Sequence, residues 1–232
     1  MPVVAALAAN GGLTGCSNAN ETRQRTKESG FRTTDAGAKQ VWMGLLDWFK
    51  GRGAPLEDSR LRGWRHAWGR IAATPHVQDE QIEQLAVELD SFRLPDDEIE
   101  IEREMLDALR ERETLRASVQ LSGLPVVETG HRVVRAEPCH YSAPASMPEE
   151  PGQPSGRLLL TSGRAIFVGG ANGMVTAWHM ISETTHIDRD VVLIRNGRDQ
   201  VYTFRCNSYG DALRATFIAC ELLSARRRPR SL

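Results

Sequence analysis

The chain reads as an α+β protein: a helical region containing a helical hairpin, then a small bent β-sandwich or barrel capped by a C-terminal α-helix. Three observations predict this. Between residues 156 and 206, short apolar runs rich in Val, Ile, Leu and Phe are separated by Gly-bearing turns. After them Leu213, Phe217, Cys220 and Leu223 recur at spacings of three and four, which makes one helical stripe. Before them, residues 59–116 carry apolar positions at helical spacing and end without any strand-like alternation.

The strand region resolves into Arg157–Thr161, Arg164–Val168, Met174–Ile181, Asp190–Arg195 and Gln200–Cys206. Ser162-Gly163 separates the first two by two residues, where glycine would supply positive φ at no steric cost. Asn172-Gly173 and Asn196-Gly197 are hairpin dipeptides flanked by strand formers. In the last strand Tyr202, Phe204 and Cys206 alternate with Thr203 and Arg205, so one face is apolar and the other wet. The helical stripe that follows needs a surface to cover, and the open end of a small barrel provides one.

Upstream, Leu61, Trp64, Trp68 and Ile71 form a stripe within residues 59–73, surrounded by Arg60, Arg62, Arg65, His66 and Arg70. A basic helix with an aromatic stripe suits either a membrane interface or packing on neighbouring helices. Trp48, Phe49, Trp64 and Trp68 are therefore the candidate membrane or partner contacts. Residues 79–92 place Ile82, Leu85, Leu89 and Phe92 at coiled-coil-like spacing, and Leu94-Pro95 ends that run. Asp96-Asp97 then offer N-cap oxygens and acidic charge to a second helix, from Glu98 to about Arg116, with Met105, Leu106 and Leu109 inward. The short connection makes these two helices a hairpin. Glu98, Glu100, Glu102 and Glu104 share helix faces at i,i+4, but no His completes a metal-ligand set, so they read as a solvated face.

The stretch Gly156-Arg-Leu-Leu-Leu-Thr161-Ser-Gly-Arg164-Ala-Ile-Phe167-Val-Gly169 resembles the second and third strands of bacterial pleckstrin-homology-like and GRAM-like domains. The likeness extends over residues 124–225, with an earlier strand from Val133 to Tyr141 that includes Glu137. It implies a seven-stranded, strongly bent sheet capped by a C-terminal helix. Ligands within that family range over lipids, peptides and proteins, so the fold alone leaves function open. Phosphoinositide-binding members cluster basic residues in the first inter-strand loop. Here residues 140–156 hold no Lys or Arg and carry Glu149 and Glu150, so headgroup binding is not expected.

Composition sets further bounds. The 232 residues are 41% hydrophobic and 25% charged, with net charge −1, which gives no general pull toward nucleic acid or anionic membrane. The longest apolar run near the start, residues 3–9, is far shorter than the roughly 20 residues that span a bilayer. Cys16, Cys139, Cys206 and Cys220 form no C-x-x-C pair, which argues for a reducing, cytoplasmic setting. Leu13-Thr-Gly-Cys16 resembles a lipobox, which makes Cys16 a candidate lipidation site, but no basic residue precedes it and Asn10-Gly-Gly interrupts the apolar segment. Residues 1–42 otherwise read as disordered, or as an extension upstream of a start at Met43.

The expected organisation is thus 1–42, a helical region 43–122, a pleckstrin-homology-like domain 123–225 and a basic tail 226–232. Other motifs are structural by context. Gly169-Gly-Ala-Asn-Gly173 precedes a strand where a phosphate loop needs a helix, and Cys139 and His140 are adjacent in a strand and point to opposite faces. No catalytic, metal or cofactor set emerges. The function expected is a non-enzymatic adaptor acting through protein contacts or self-association, without nucleic acid; the alternative is a peripheral membrane protein.

Overall fold

The computed structural model describes residues 58–134, 136–169, 173–197 and 200–227, all within one compact unit, Pro55–Leu232. Among these residues three helices come first: α1 (Ser59–Ala72), α2 (Asp79–Ser91) and α3 (Glu100–Ser122), with a 3-10 turn at Asp96–Glu98 before α3. Seven strands follow: β1 (Cys139–Ser146), β2 (Ser155–Thr161), β3 (Arg164–Val168), β4 (Met174–Ala177), β5 (Ile181–Ile187), β6 (Asp190–Arg195) and β7 (Val201–Cys206). Helix α4 (Tyr209–Arg227) ends the described chain. The strands form one antiparallel sheet in the order β4-β3-β2-β1-β7-β6-β5, and with the helices they make an α+β fold.

Two meanders, β1–β4 and β5–β7, are joined where Ala145 and Ser146 of β1 pair with Cys206 and Arg205 of β7. The inner face buries Leu158, Leu160, Phe167, Val191, Leu193 and Phe204 under α4. The outer face is covered too. Leu159 and Ile166 pack with Val134 of a 3-10 turn at Arg132–Val134, so the run Leu158-Leu159-Leu160 is buried on both sides. That explains three consecutive leucines where alternation would otherwise be expected.

Several sequence expectations change. The single strand from Met174 to Ile181 breaks at a 3-10 turn, Trp178–Met180, because the Trp178 indole is fully buried and donates to the Thr161 carbonyl at 2.8 Å. Strand β5 follows, in a polar stretch that sequence reading left unassigned. The strand expected at Val133–Tyr141 begins only at Cys139: Pro138 lacks an N–H and keeps Glu137 out of the ladder. Strand β1 runs on to Ser146, which shortens the connection to β2 to residues 147–154.

Asp96 and Asp97 do not cap α3. They sit in their own 3-10 turn, Ile99 takes the N-cap position, and Asp96 pairs with Arg103 at 2.8 Å. Helix α3 reaches Ser122, well past Arg116. Helix α4 buries more than the expected stripe. Ala212, Leu213, Ala215, Ile218 and Ala219 are buried alongside Phe217, Leu222 and Leu223, because the helix lies between the sheet and α3. Its small residues permit that close approach.

Two glycines are required where β2 enters and β3 leaves the hairpin. A Cβ on Gly156 would overlap the Val168 carbonyl oxygen, and one on Gly169 would lie 2.6 Å from the Ser155 carbonyl oxygen. Both obstacles are backbone and cannot swing aside. Gly156→Ala or Gly169→Ala should therefore cost about 2 kcal/mol or more, a drop of about 4–8 °C in melting temperature. A thermal melt followed by circular dichroism checks this; an unchanged midpoint would refute the tight crossing.

Candidate functional site

Ionisable and aromatic side chains converge where the helices meet the sheet. Trp64 and Trp68 lie one turn apart on α1 and are 0% and 2% exposed. Trp64 donates its indole N–H to the Leu85 carbonyl of α2, and Trp68 donates to the Met105 carbonyl of α3, both at 2.8 Å. The two rings therefore hold α1 to both neighbouring helices. They are core residues in this fold and do not supply a membrane-facing stripe. Trp48, Phe49 and Cys16 lie outside the described residues.

The face of Trp68 away from α1 meets the sheet layer. Its ring stands edge-on to Tyr209 of α4 at 5.6 Å and to His186 of β5 at 6.2 Å. Tyr209 is sandwiched in turn, with the Arg189 guanidinium 4.9 Å from its ring centre. Arg189 comes from the two-residue β5–β6 turn, where Asp188 takes φ 52°, a left-handed conformation that aspartate tolerates better than most residues. Arg189 also pairs with Glu104 of α3 at 2.7 Å.

Of the four glutamates expected to face solvent, Glu98 and Glu100 are exposed, whereas Glu102 and Glu104 have structural partners. Glu104 Oε1 accepts the Tyr209 backbone N–H at 2.7 Å, so α3 supplies the carboxylate that satisfies the first turn of α4. Two turns along, Glu111 pairs with Arg214 at 2.8 Å, and a Cβ on Gly210 would lie 2.9 Å from its Oε2. Glu102 is fully buried and pairs with Arg65 of α1 at 2.6 Å. The buried carboxylate is tolerated because its Oε1 meets the partly exposed Arg65 guanidinium, although its Oε2 has no hydrogen-bond partner among the described residues.

At the other end of the same α3 face, Arg112 is 5% exposed and donates to the Ala72 carbonyl, the end of α1. Burial pushes its pKa down, while neighbouring Glu113 pulls it up. Glu113 itself would be raised by burial, but His76 at 3.0 Å, Arg112 and Arg116 outweigh that and hold its carboxyl below the usual range. His186 is half-buried; desolvation, reinforced by the Arg112 charge, lowers its pKa to about 4. Cys220 of α4 lies 2.9 Å from Thr184 Oγ1, and burial raises its thiol pKa. These groups are spent on one another, and among the described residues no group of His, Cys, Asp or Glu is arranged to hold a metal ion.

The residues of the Thr161/Arg164 motif form a turn lock. Thr161 Oγ1 accepts the Arg164 N–H at 3.1 Å and donates to Glu137 Oε2 at 2.6 Å, while Glu137 Oε1 pairs with Arg164 at 3.0 Å. Gly163 does not take positive φ; it is small because a Cβ would lie 2.9 Å from Glu137 Oε2. Sequence reading had the spacing but missed Glu137 as the reason for it.

Open grooves also lie among the described residues, two of them on α3. The larger, of about 1200 Å³, lies between the start of α2 and the second half of α3, with Val77 and Ile82 beneath it. The smaller, of about 420 Å³, lies between α3 and the start of α4. In the larger groove Arg110, Arg116 and His76 are paired with carboxylates, whereas Asp79, Glu80 and Glu83 have no ion-pair partner among the described residues. No helix among the described residues is long and apolar enough to cross a membrane.

No protein-family model matches the chain, and no curated protein sequence matches it. Among solved structures it is similar to the ternary complex between the human RhoA, its inhibitor and the DH/PH domain of human ARHGEF11, at 13% identity with a TM-score of 0.32. That likeness covers 82% of this chain and 62% of the length of the other.

The geometry around His186 gives a pH dependence with a defined sign. Its folded pKa of about 4 lies below the ordinary 6.5, so its stabilisation is complete above pH 6.5 and is lost as pH falls toward 4. The difference in unfolding free energy between the native chain and His186→Gln should shrink over that window by up to about 3 kcal/mol. Urea titrations at pH 7 and pH 4.5 measure it; a pH-independent difference would contradict the half-buried, neutral imidazole.

Proposed function

We propose that this chain is a non-enzymatic recognition protein, a pleckstrin-homology-like module of the bacterial GRAM-like type fused to a helical layer that makes protein contacts. One observation carries the reading: the groove between α2 and α3 presents Asp79, Glu80 and Glu83 without an ion-pair partner among the described residues, above an apolar floor, while the charges at the helix–sheet junction are largely paired internally. An open groove with uncompensated charge favours a protein surface over a small-molecule pocket. The first inter-strand loop, residues 147–154, keeps Glu149 and Glu150, and Glu149 faces Thr203 at 3.4 Å, so the loop opposes a polyphosphate headgroup.

The test is capture of partners by the full-length chain, compared with an Asp79→Asn/Glu80→Gln/Glu83→Gln variant, with bound proteins identified by mass spectrometry. All three positions are exposed, so the variant should fold, and it should lose the partners that the native chain retains. Identical partner sets would remove the groove from the account. Saturable micromolar binding to phosphoinositide vesicles would overturn the reading altogether.

A further inference from the structure

Ser162, at the tip of the β2–β3 turn, is flanked by two groups brought in from elsewhere in the chain. His140 of β1 places Nδ1 2.7 Å from the Pro125 carbonyl oxygen and Nε2 2.8 Å from Ser162 Oγ. A carbonyl only accepts, so the ring proton resides on Nδ1 and Nε2 is left as the acceptor for the serine hydroxyl. His140 is 8% exposed, whereas Ser162 is half-buried, so the base is held inside the protein and the hydroxyl lies at its edge. A hydroxyl, an imidazole and a third group that fixes the tautomer make the arrangement of an activated serine.

The surroundings add rigidity and donors. The Ser162 N–H bonds the Pro138 carbonyl at 3.0 Å, and the Thr161–Arg164 lock fixes the turn on either side. The backbone N–H of Gly163, the residue after Ser162, makes no hydrogen bond among the described residues. The N–H of the residue following a nucleophile is where an oxyanion donor is found in serine hydrolases. Arg226 Nη2 lies 3.5 Å from the Ser162 carbonyl oxygen and brings a positive charge to the same turn. The nearby Glu137 carboxylate is already tied to Arg164 and Thr161.

We propose that Ser162 is a base-activated nucleophile that accepts an acyl group from an activated ester, a covalent modification site on the recognition module. The Ser162 oxygen forms a bond to the acyl carbon as its proton passes to His140 Nε2. The bond from that carbon to the leaving oxygen breaks, and the leaving group takes the proton from the imidazolium, which restores neutral His140. No oxidant or metal takes part. The site uses none of the residues of the α2–α3 groove, so its failure and the failure of the recognition reading are separate outcomes.

The full-length chain is treated with p-nitrophenyl acetate, and acetylation is located by intact mass and peptide mapping. Ser162 should be labelled about a hundredfold faster in the native chain than in the urea-unfolded chain, and His140→Gln should lose a similar factor. Ser162→Ala should remove the label altogether. Equal rates in native and unfolded protein, or labelling that survives Ser162→Ala, would reduce the dyad to a structural tie. The native-against-unfolded comparison decides the matter even where His140→Gln fails to fold.

Discussion

The indole of Trp68 touches three layers at once. Its N–H is committed to a carbonyl of α3, and its ring meets Tyr209 of α4 and His186 of β5, while its own backbone belongs to α1. A large aromatic ring with one polar edge suits this position because it brings apolar area in several directions and still satisfies its donor. An aliphatic side chain would fill part of the volume and leave the Met105 carbonyl without the extra bond. Around that ring, Glu104 joins the first turn of α4 to the β5–β6 turn through Arg189. The helical layer and the sheet therefore share a joint within one compact unit. Leu213 of α4 belongs to the core of α1–α3, and Leu115 and Val119 of α3 pack on the core of the sheet.

The charge pattern follows from that joint. A chain with net charge −1 contains many more ionic groups than it displays to solvent as free charge. Glu102, Arg112 and Glu113 lie along one side of α3, and each is matched by a group from α1, the α1–α2 connection or α3 itself. Such pairing adds little net stability but penalises any alternative packing that would strand a charge. In the groove at the start of α2, Asp79, Glu80 and Glu83 face outward with no ion-pair partner among the described residues. The recognition proposed above rests on those three carboxylates, whose charge is not spent on ion pairs among the described residues.

Strands β3 and β6 were legible from the sequence to the residue, because short apolar runs bounded by Gly turns leave little choice of register. The helical stripes of α1–α3 were equally plain. Strand β5 was not, since Ser182, Glu183, Thr184, Thr185 and His186 carry no apolar alternation and it is fixed by pairing with β6. The burial of Trp64 and Trp68 was one of two readings the stripe allowed, since a basic helix with an aromatic stripe reads the same whether it faces lipid or protein. What decides it is a pair of hydrogen bonds spanning 21 and 37 residues. Glu104 capping Tyr209 spans 105 residues, and the His140–Ser162 contact spans 22. Local spacing carries no trace of such partners, although a Glu within a dense charge run and a Ser in a turn are the residue types that serve them.

Native-state hydrogen exchange of Trp68→Ala, resolved by peptide, tests the shared joint most directly. If Trp68 couples the layers, lost protection will extend beyond α1 and α3 into residues 186–190 and the first turns of α4. Protection lost only within α1–α3, with the β5–β6 turn and α4 exchanging as in the native chain, would show two independent layers and contradict this account.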